Sequence, residues 1–394
     1  MFTDYYKIKT NVSNNDSALI SCLKTKAINE GLFKNWIGKE SNLKIDDKRV
    51  IERYNFICEQ HKKLQQLDNE QDKKELLSFL ARLLSSKFSG RKQSEFAISL
   101  TIDKLIYCFV NKKPIIFVFG YGGYKNYNSP SFPEVDWAEL FHMKYMTTFL
   151  WPIIKTYKYG VKFEYESEEI SIQFNNVPQE TTDRYTKTFG QLLKYFCNKI
   201  EENNGVKIDY SQVIARNMYT ERELYNKMNE YYKDMEKIYN ELPDDEKMVW
   251  FKRAKTNFLV KGTNDYSNCS AEEINNLIIK ARINNECFLA ADYDLRIEFW
   301  ERPNAISLFG TWGKTPCASP TDGGLHLKST ASSNTDFWIG TGVLKLDKDN
   351  KIIQEQILST NQYEENKALI QTIHNNDQEL RNISKNFDDI KFVR

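Results

Sequence analysis

Histidine is scarce: the chain has 394 residues and four of them are His, none at zinc-finger spacing from a cysteine. The seven cysteines (Cys22, Cys58, Cys108, Cys197, Cys269, Cys287 and Cys317) lie far apart with no C-x-x-C pair, so their spacing offers neither a zinc site nor a redox motif. They read as reduced thiols, and a cytoplasmic protein is expected. Long hydrophobic runs are missing as well. No stretch of about 18 apolar residues occurs, and the start MFTDYYKIKTNVSNNDS has neither the basic opening nor the apolar core of a signal peptide. Membrane spanning and secretion are therefore not expected. Charge of one sign is absent too: 55 Lys+Arg against 54 Asp+Glu leave +1, so no global field draws the chain to nucleic acid or to an anionic membrane. Neither G-x-x-x-x-G-K-[ST] nor G-x-G-x-x-G is present, which removes the usual support for nucleoside triphosphate or dinucleotide binding.

Aromatic residues are plentiful, with 22 Tyr, 24 Phe and 7 Trp, enough to fill a sizeable core and to set disorder aside. The most informative stretch is Pro114-Ile-Ile-Phe-Val-Phe119, which runs into Gly120-Tyr-Gly-Gly-Tyr-Lys-Asn-Tyr-Asn-Ser-Pro130. The apolar run is short, β-branched and aromatic, as a buried strand is, and it stops at glycines that let backbone approach a bound group. From Asp136 to Tyr157 the spacing is helical: Leu140, Met143, Met146, Leu150, Ile153, Ile154 and Tyr157 can share one face, with Pro152 set to kink the last turns. Val161-Lys-Phe-Glu-Tyr-Glu166 completes a strand, helix, strand unit, so the fold class is α/β. In such sheets the ligand lies outside the carboxyl ends of the strands, where the glycine loop falls.

Four regions are expected around that unit. Residues 1–112 read as helical, with amphipathic stretches near 47–66, 73–87 and 95–111. Residues 113–205 form the α/β core, closing on a helix that Pro178, Thr181 and Thr182 introduce and that carries Tyr185, Phe189, Leu192, Leu193 and Phe196. Residues 206–288 read as a polar helical insertion or cap, with Glu221–Glu241 and Pro243–Leu259 as its helices. Residues 289–394 read as β-rich with a helical tail after Asn361. There Tyr293–Trp300 and Ala305–Phe309 alternate like paired strands, and Phe337–Leu346 and Ile352–Leu358 form a hairpin across Asp347-Lys-Asp-Asn350.

Candidate chemistry gathers near the strand ends. In the glycine loop, Gly122, Gly123 and Tyr124 offer backbone, Asn126 and Ser129 offer donors, and Lys125 is placed as a phosphate-binding lysine is; a simple tight turn is the alternative. Asp136 and Glu139 open the next helix, either as a capping box or facing a ligand. Glu164, Glu166 and Glu168 share one side of the second strand, where crowded carboxylates suit general-base work or, more plainly, form a solvated edge. Gly323 and Gly324 permit a sharp turn before His326 and Lys328, which share one side of an extended run. His326 can move protons or bind phosphate, while His142 reads as packing. Arg282, Arg296 and Arg302 are candidates for a bidentate clamp on carboxylate or phosphate, and Arg184 joins the substrate-binding candidates. No metal-ligand pattern accompanies them.

Taken together, KPIIFVFGYGGYKNYNSP, VDWAE and YKYGVKFEYESEE resemble the isocyanide synthase family, the group that includes the pyoverdine/paerucumarin and yeast dityrosine biosynthesis proteins. Members show a hydrophobic strand, a loop F-P-x-K-S-P-N, a helix start D-M-A-E, and a strand from Y-x-P-G-A to S-D-G. Lys125 aligns with the loop lysine, Asp136 and Glu139 with the two acids, Gly160 with the glycine before the strand, and Ser167-Glu168 with S-D. Gly-Gly-Tyr replaces Phe-Pro, Trp137 replaces the Met, and Gly323-Gly-Leu-His326 stands where members have T-P-W-H-G. The resemblance covers about 110–200, with a weaker echo over 293–328. It implies a Rossmann-like sheet flanked by helices with a smaller β-containing part. It also implies an enzyme in which an amine takes one carbon from ribulose 5-phosphate to become an isonitrile, with no metal or organic cofactor. The implied partners are two small molecules, an amino acid or amine and a sugar phosphate. In that scheme Lys125 and an arginine hold phosphate, Glu166 or Glu168 shuttles protons, and His326 assists. Two other classes fit the sequence: a different sugar-phosphate or nucleotide-using transferase on the same scaffold, and a non-enzymatic binding or effector protein using the polar helical regions.

Overall fold

The computed structural model describes residues 52, 62–84, 94–121, 134–135, 137–167, 179–261, 268–310, 325–327, 341–346 and 352–358. Two helices lead into the sheet, α1 (Glu70–Leu83) and α2 (Glu95–Asn111). Each begins at a side-chain cap: Asn69 accepts from the Gln71 amide and Ser94 from the Ala97 amide. Lys112 ends α2 in the left-handed region at φ 52°, which turns the chain sharply into the first strand. The core unit follows as β1 (Ile115–Tyr121), α3 (Trp137–Thr156), β2 (Val161–Ser167) and α4 (Gln179–Asn204). Helix α3 runs through Pro152 to Thr156. Gly160 enters β2 at φ 89°, a conformation that costs an L side chain but not glycine, and its carbonyl accepts from the Ile115 amide.

The sheet has five strands in the order β3-β2-β1-β4-β5, with β3 (Asp209–Ile214), β4 (Ala305–Gly310) and β5 (Leu325–Leu327) added around the first pair. Every pairing is parallel, so an α/β sheet flanked by helices stands as expected. The strand order reverses at β1, which has β2 on one side and β4 on the other, and in doubly wound sheets the ligand crevice opens there. Strand β1 is buried on both faces, as a central parallel strand is. Ile115, Phe117, Phe119 and Tyr121 enter the main core, while Ile116 and Val118 pack on Phe299 and Ala305 opposite. The main core adds Phe163 and Tyr165 of β2 to Leu140, Met143, Met146 and Ile153 of α3 and Tyr185, Phe189 and Leu192 of α4. Arg82 of α1 is buried against α3, its Nε donating to the Phe149 carbonyl at 2.6 Å.

A helical unit sits between β3 and β4: α5 (Glu221–Glu241), α6 (Asp244–Lys261), α7 (Ala271–Leu295) and the short α8 (Ile297–Trp300). Thr220 with Glu223 and Ser270 with Glu273 form capping boxes at the starts of α5 and α7. The unit has its own cluster, with Leu224 and Met228 against Ile283, Cys287, Phe288 and Ala291.

Two expectations change here. Residues 206–288 open with a strand of the main sheet, β3, whose half-buried Asp-Tyr-Ser-Gln-Val-Ile is too polar to read as a strand in isolation. Tyr293–Trp300 is helical, and Ala305–Gly310 pairs parallel with β1 instead of forming a hairpin with it. The alternation of Ile297-Glu-Phe-Trp300 is too short to separate a strand from one helical turn, in which Phe299 faces the sheet. The hairpin across 347–350 is present, with β6 (Thr341–Leu346) antiparallel to β7 (Ile352–Leu358) beside α3. The stretch expected as a tail helix after Asn361 lies outside the described residues, as does most of 47–66. Among the described residues no helix is long and apolar enough to cross a membrane.

Candidate active site

Register brings the candidate groups to one level of the sheet. Gly120 of β1 pairs with Glu166 of β2, and Glu166 with Val213 of β3. On the other side Phe119 pairs with Leu308 and Leu308 with Leu325, so His326 stands one residue further on, level with Gly120 and Glu166. Three strand spacings, about 14 Å, separate His326 from Glu166 along this row. Both mark the carboxyl end of the sheet, on either side of β1, where the strand order reverses.

Alternation along β2 sends Tyr165 into the main core and Glu164 and Glu166 to the opposite face, under α7 and α8. Glu166 is 1% exposed and lies 2.7 Å from Nη2 of Arg296, whose side chain is 0% exposed. Arg296 follows α7, where a cation suits the negative end of the helix dipole, and the same Nη2 pairs with Asp292 one turn earlier. Tyr219, ahead of α5, donates its hydroxyl to Asp292 at 2.6 Å. The four residues form a buried chain from the strand end into the helical unit. At an effective dielectric of about 20, unit charges about 4 Å apart interact by about 4 kcal/mol, so these positions are strongly tied to one another. Glu164 lower on β2 accepts from Arg302 at 2.6 Å and Lys162 at 2.7 Å. Burial works to raise its carboxyl, but the hydrogen bonds and charges of Arg302 and Lys162 outweigh that and hold it below its ordinary value. Glu164 thus pairs with Arg302 and Lys162, and Glu166 shares Arg296 with Asp292, while Glu168 lies outside the described residues.

The other face of the strand ends is aromatic. Tyr121 stacks on Phe189 with centroids 4.0 Å apart, and Tyr165 and Tyr185 pack around them. Glu139, in the first turn of α3, is fully buried there and accepts from the Tyr185 hydroxyl at 3.1 Å. His142 is buried beside Tyr165, and burial pushes its imidazole down to about 3, so it stays neutral at neutral pH, as its packing role predicts. Gln212 of β3 spans the edge, its Nε2 donating to the Tyr121 hydroxyl and to the Thr186 carbonyl at 2.9 Å each.

Three of the candidates fall elsewhere or apart. Arg184 is half exposed at the surface and holds Glu134 through Nε at 3.0 Å. Arg282 pairs with Glu286 and lies 4.9 Å over the Trp250 ring inside the helical unit. Fourteen residues of helix, about 21 Å, separate it from Arg296, so the two do not act on one ligand group. Arg302 is taken by Glu164. Gly122, Gly123, Tyr124, Lys125, Asn126, Ser129, Asp136, Glu168 and Lys328 lie outside the described residues, next to β1, α3, β2 and β5 in the sequence. Asp292, Tyr219 and Tyr185 were not anticipated. The spacing of Asp292 four before Arg296 on one helix was the available signal; the tyrosines gave none among 22. Among the described residues no three His, Cys, Asp or Glu side chains converge as metal ligands.

The chain matches no sequence-family model and no curated protein sequence. In structure it is similar to the PvcA protein from Pseudomonas aeruginosa, with a TM-score of 0.53 and 12% identity over 74% of this chain and 94% of that one. The likeness is one of fold, and it takes in nearly the whole of PvcA.

Proposed function

We propose that the chain is an isocyanide-synthase-like enzyme, converting an amino acid or amine to an isonitrile with one carbon from ribulose 5-phosphate. The observation that carries this reading is a coincidence of place. Glu166 with Arg296 and the backbone of His326 stand at the carboxyl end of a parallel sheet that shares its fold with PvcA, and the glycine loop follows β1 in the sequence at that same end of the strand. Amine capture by a sugar carbonyl and the following carbon-carbon cleavage need a phosphate site and groups that exchange protons. Lys125 serves the phosphate. Glu168, two residues beyond the Arg-bound Glu166, serves as the proton shuttle, with His326 acting from the far side of the crevice.

The test is incubation of the pure chain with a panel of amino acids and ribulose 5-phosphate, reading isonitrile product by mass. Turnover that disappears in Lys125→Ala and in His326→Ala, with unchanged Tm, is the expected result. A silent panel with intact sugar phosphate overturns the reaction, and a loss of Tm alone in both variants assigns those residues to packing.

A further inference from the structure

One side chain ties the end of β1 to a strand that is not its neighbour. Gln212 lies on β3 and Tyr121 is the last residue of β1, with β2 between them, yet Nε2 of Gln212 donates to the Tyr121 hydroxyl at 2.9 Å. The contact crosses two strand spacings, about 10 Å. The same Nε2 donates to the Thr186 carbonyl of α4, also at 2.9 Å, so the amide is held from two directions. Helix α4 makes room for it: a Cβ on Gly190 falls 2.2 Å from Gln212 Oε1. Adjacent strands already hold one another through backbone bonds, so this tie adds something the ladder does not supply.

What it adds is a fixed end to β1. Tyr121 is 2% exposed and stacked on Phe189, and stacking lets a ring slide where a hydrogen bond at its hydroxyl holds it in place. The next two residues in the sequence are Gly122 and Gly123, the residue type with the greatest backbone freedom. Glycines pass on little order of their own, so the direction in which the loop departs is set by the last residue held firmly. Lys125 follows Tyr121 by four residues, a reach of at most about 14 Å, so a shift at Tyr121 carries into the place of the lysine.

We infer that Gln212 is a positioning residue: through Tyr121 it fixes where the chain leaves β1 for the glycine loop, and with it the affinity of that loop for the sugar phosphate. The inference deepens the isonitrile-forming reading and rests on it for the ligand, while the tie to the loop stands on the contact itself.

Amide exchange and isothermal titration with ribulose 5-phosphate test this on the full chain, in Gln212→Leu, Tyr121→Phe and the double variant. Gln212→Leu keeps a side chain of similar size and removes its donor. Exchange over residues 122–130 quickens by about tenfold in Gln212→Leu while α2 and α3 exchange as in wild type, and the Kd for ribulose 5-phosphate rises by about fivefold or more. Because Gln212 acts through Tyr121, the double variant binds within about twofold of the weaker single variant. In turnover KM rises and kcat stays within about twofold, a split that a purely structural tie does not produce. Unchanged exchange over 122–130 in Gln212→Leu, or effects that multiply in the double variant, overturns the inference. Should Gln212→Leu not fold, the same exchange and titration on Tyr121→Phe decide. Quickened loop exchange in a chain whose wild type neither binds nor consumes the sugar phosphate defeats the isonitrile-forming reading and keeps the positioning role; isonitrile turnover with loop exchange and KM unaltered in Gln212→Leu does the reverse.

Discussion

Arg296 shows how one buried side chain can matter to stability and chemistry at once. With Glu166, Asp292 and Arg296 all under 10% exposed, truncating the arginine strands two carboxylates away from water. Arg296→Met is therefore expected to lower the unfolding free energy by about 3–5 kcal/mol in urea at pH 7. A loss below about 1 kcal/mol means the acids reach solvent. Lys104 of α2 offers a second residue-scale test. It is buried, donates to the Ala305 carbonyl at 2.5 Å, and burial pushes its amine down to about 8. Between about pH 8 and its ordinary 10.5 the unfolded chain holds that proton and the folded chain does not, so this group adds stability as pH rises through that window. Wild type minus Lys104→Met, by urea titration, should accordingly gain about 2 kcal/mol between pH 7 and pH 10, a comparison in which the tyrosines and cysteines cancel. A flat difference refutes the perturbed lysine.

Among the elements, those with strong periodicity and clear ends were legible. Helix α5 begins and ends at Glu221 and Glu241 as its pattern predicts, because Thr220 and Glu223 cap it and Pro243 closes it. The run Ile115–Tyr121 was legible because a central strand buried on both faces carries few polar residues, and Val161–Ser167 because Val161, Phe163 and Tyr165 alternate with Lys162, Glu164 and Glu166. Strand β3 was not, since it lies at the sheet edge and needs apolar residues on one side only. The Glu166–Arg296 pair was not legible either: the two residues are 130 apart in sequence, and their meeting depends on α7 ending over β2. Contact between α4 and β3 yields a test at this scale. A Cβ on Gly190 falls 2.2 Å from Gln212 Oε1, so the glycine admits the glutamine that reaches Tyr121 and Thr186. Gly190→Ala should be neutral or destabilising in wild type, as lost hydrogen bonds cancel the gain in helix propensity, and stabilising by about 1 kcal/mol in a Gln212→Ala background. Equal effects in both backgrounds, measured by urea denaturation, contradict the contact.

At the scale of the whole molecule, a parallel sheet and a helical unit keep separate hydrophobic clusters, and the chain Tyr219, Asp292, Arg296, Glu166 joins them at the carboxyl end of β2. Tyr219→Phe removes one member while leaving the charges paired. Amide exchange should then quicken in α5 and α7 and stay as in wild type in α3 and α4; uniform quickening contradicts a separable unit. The fold is that of PvcA, and in the proposed reaction strand-end groups move one carbon from a sugar phosphate to an amine. Uniformly 13C-labelled ribulose 5-phosphate, incubated with the full chain and a panel of unlabelled amino acids, tests that claim most directly by mass and 13C NMR of the products. One labelled carbon in an isonitrile is the predicted result; labelled sugar phosphate recovered whole with every amino acid contradicts it.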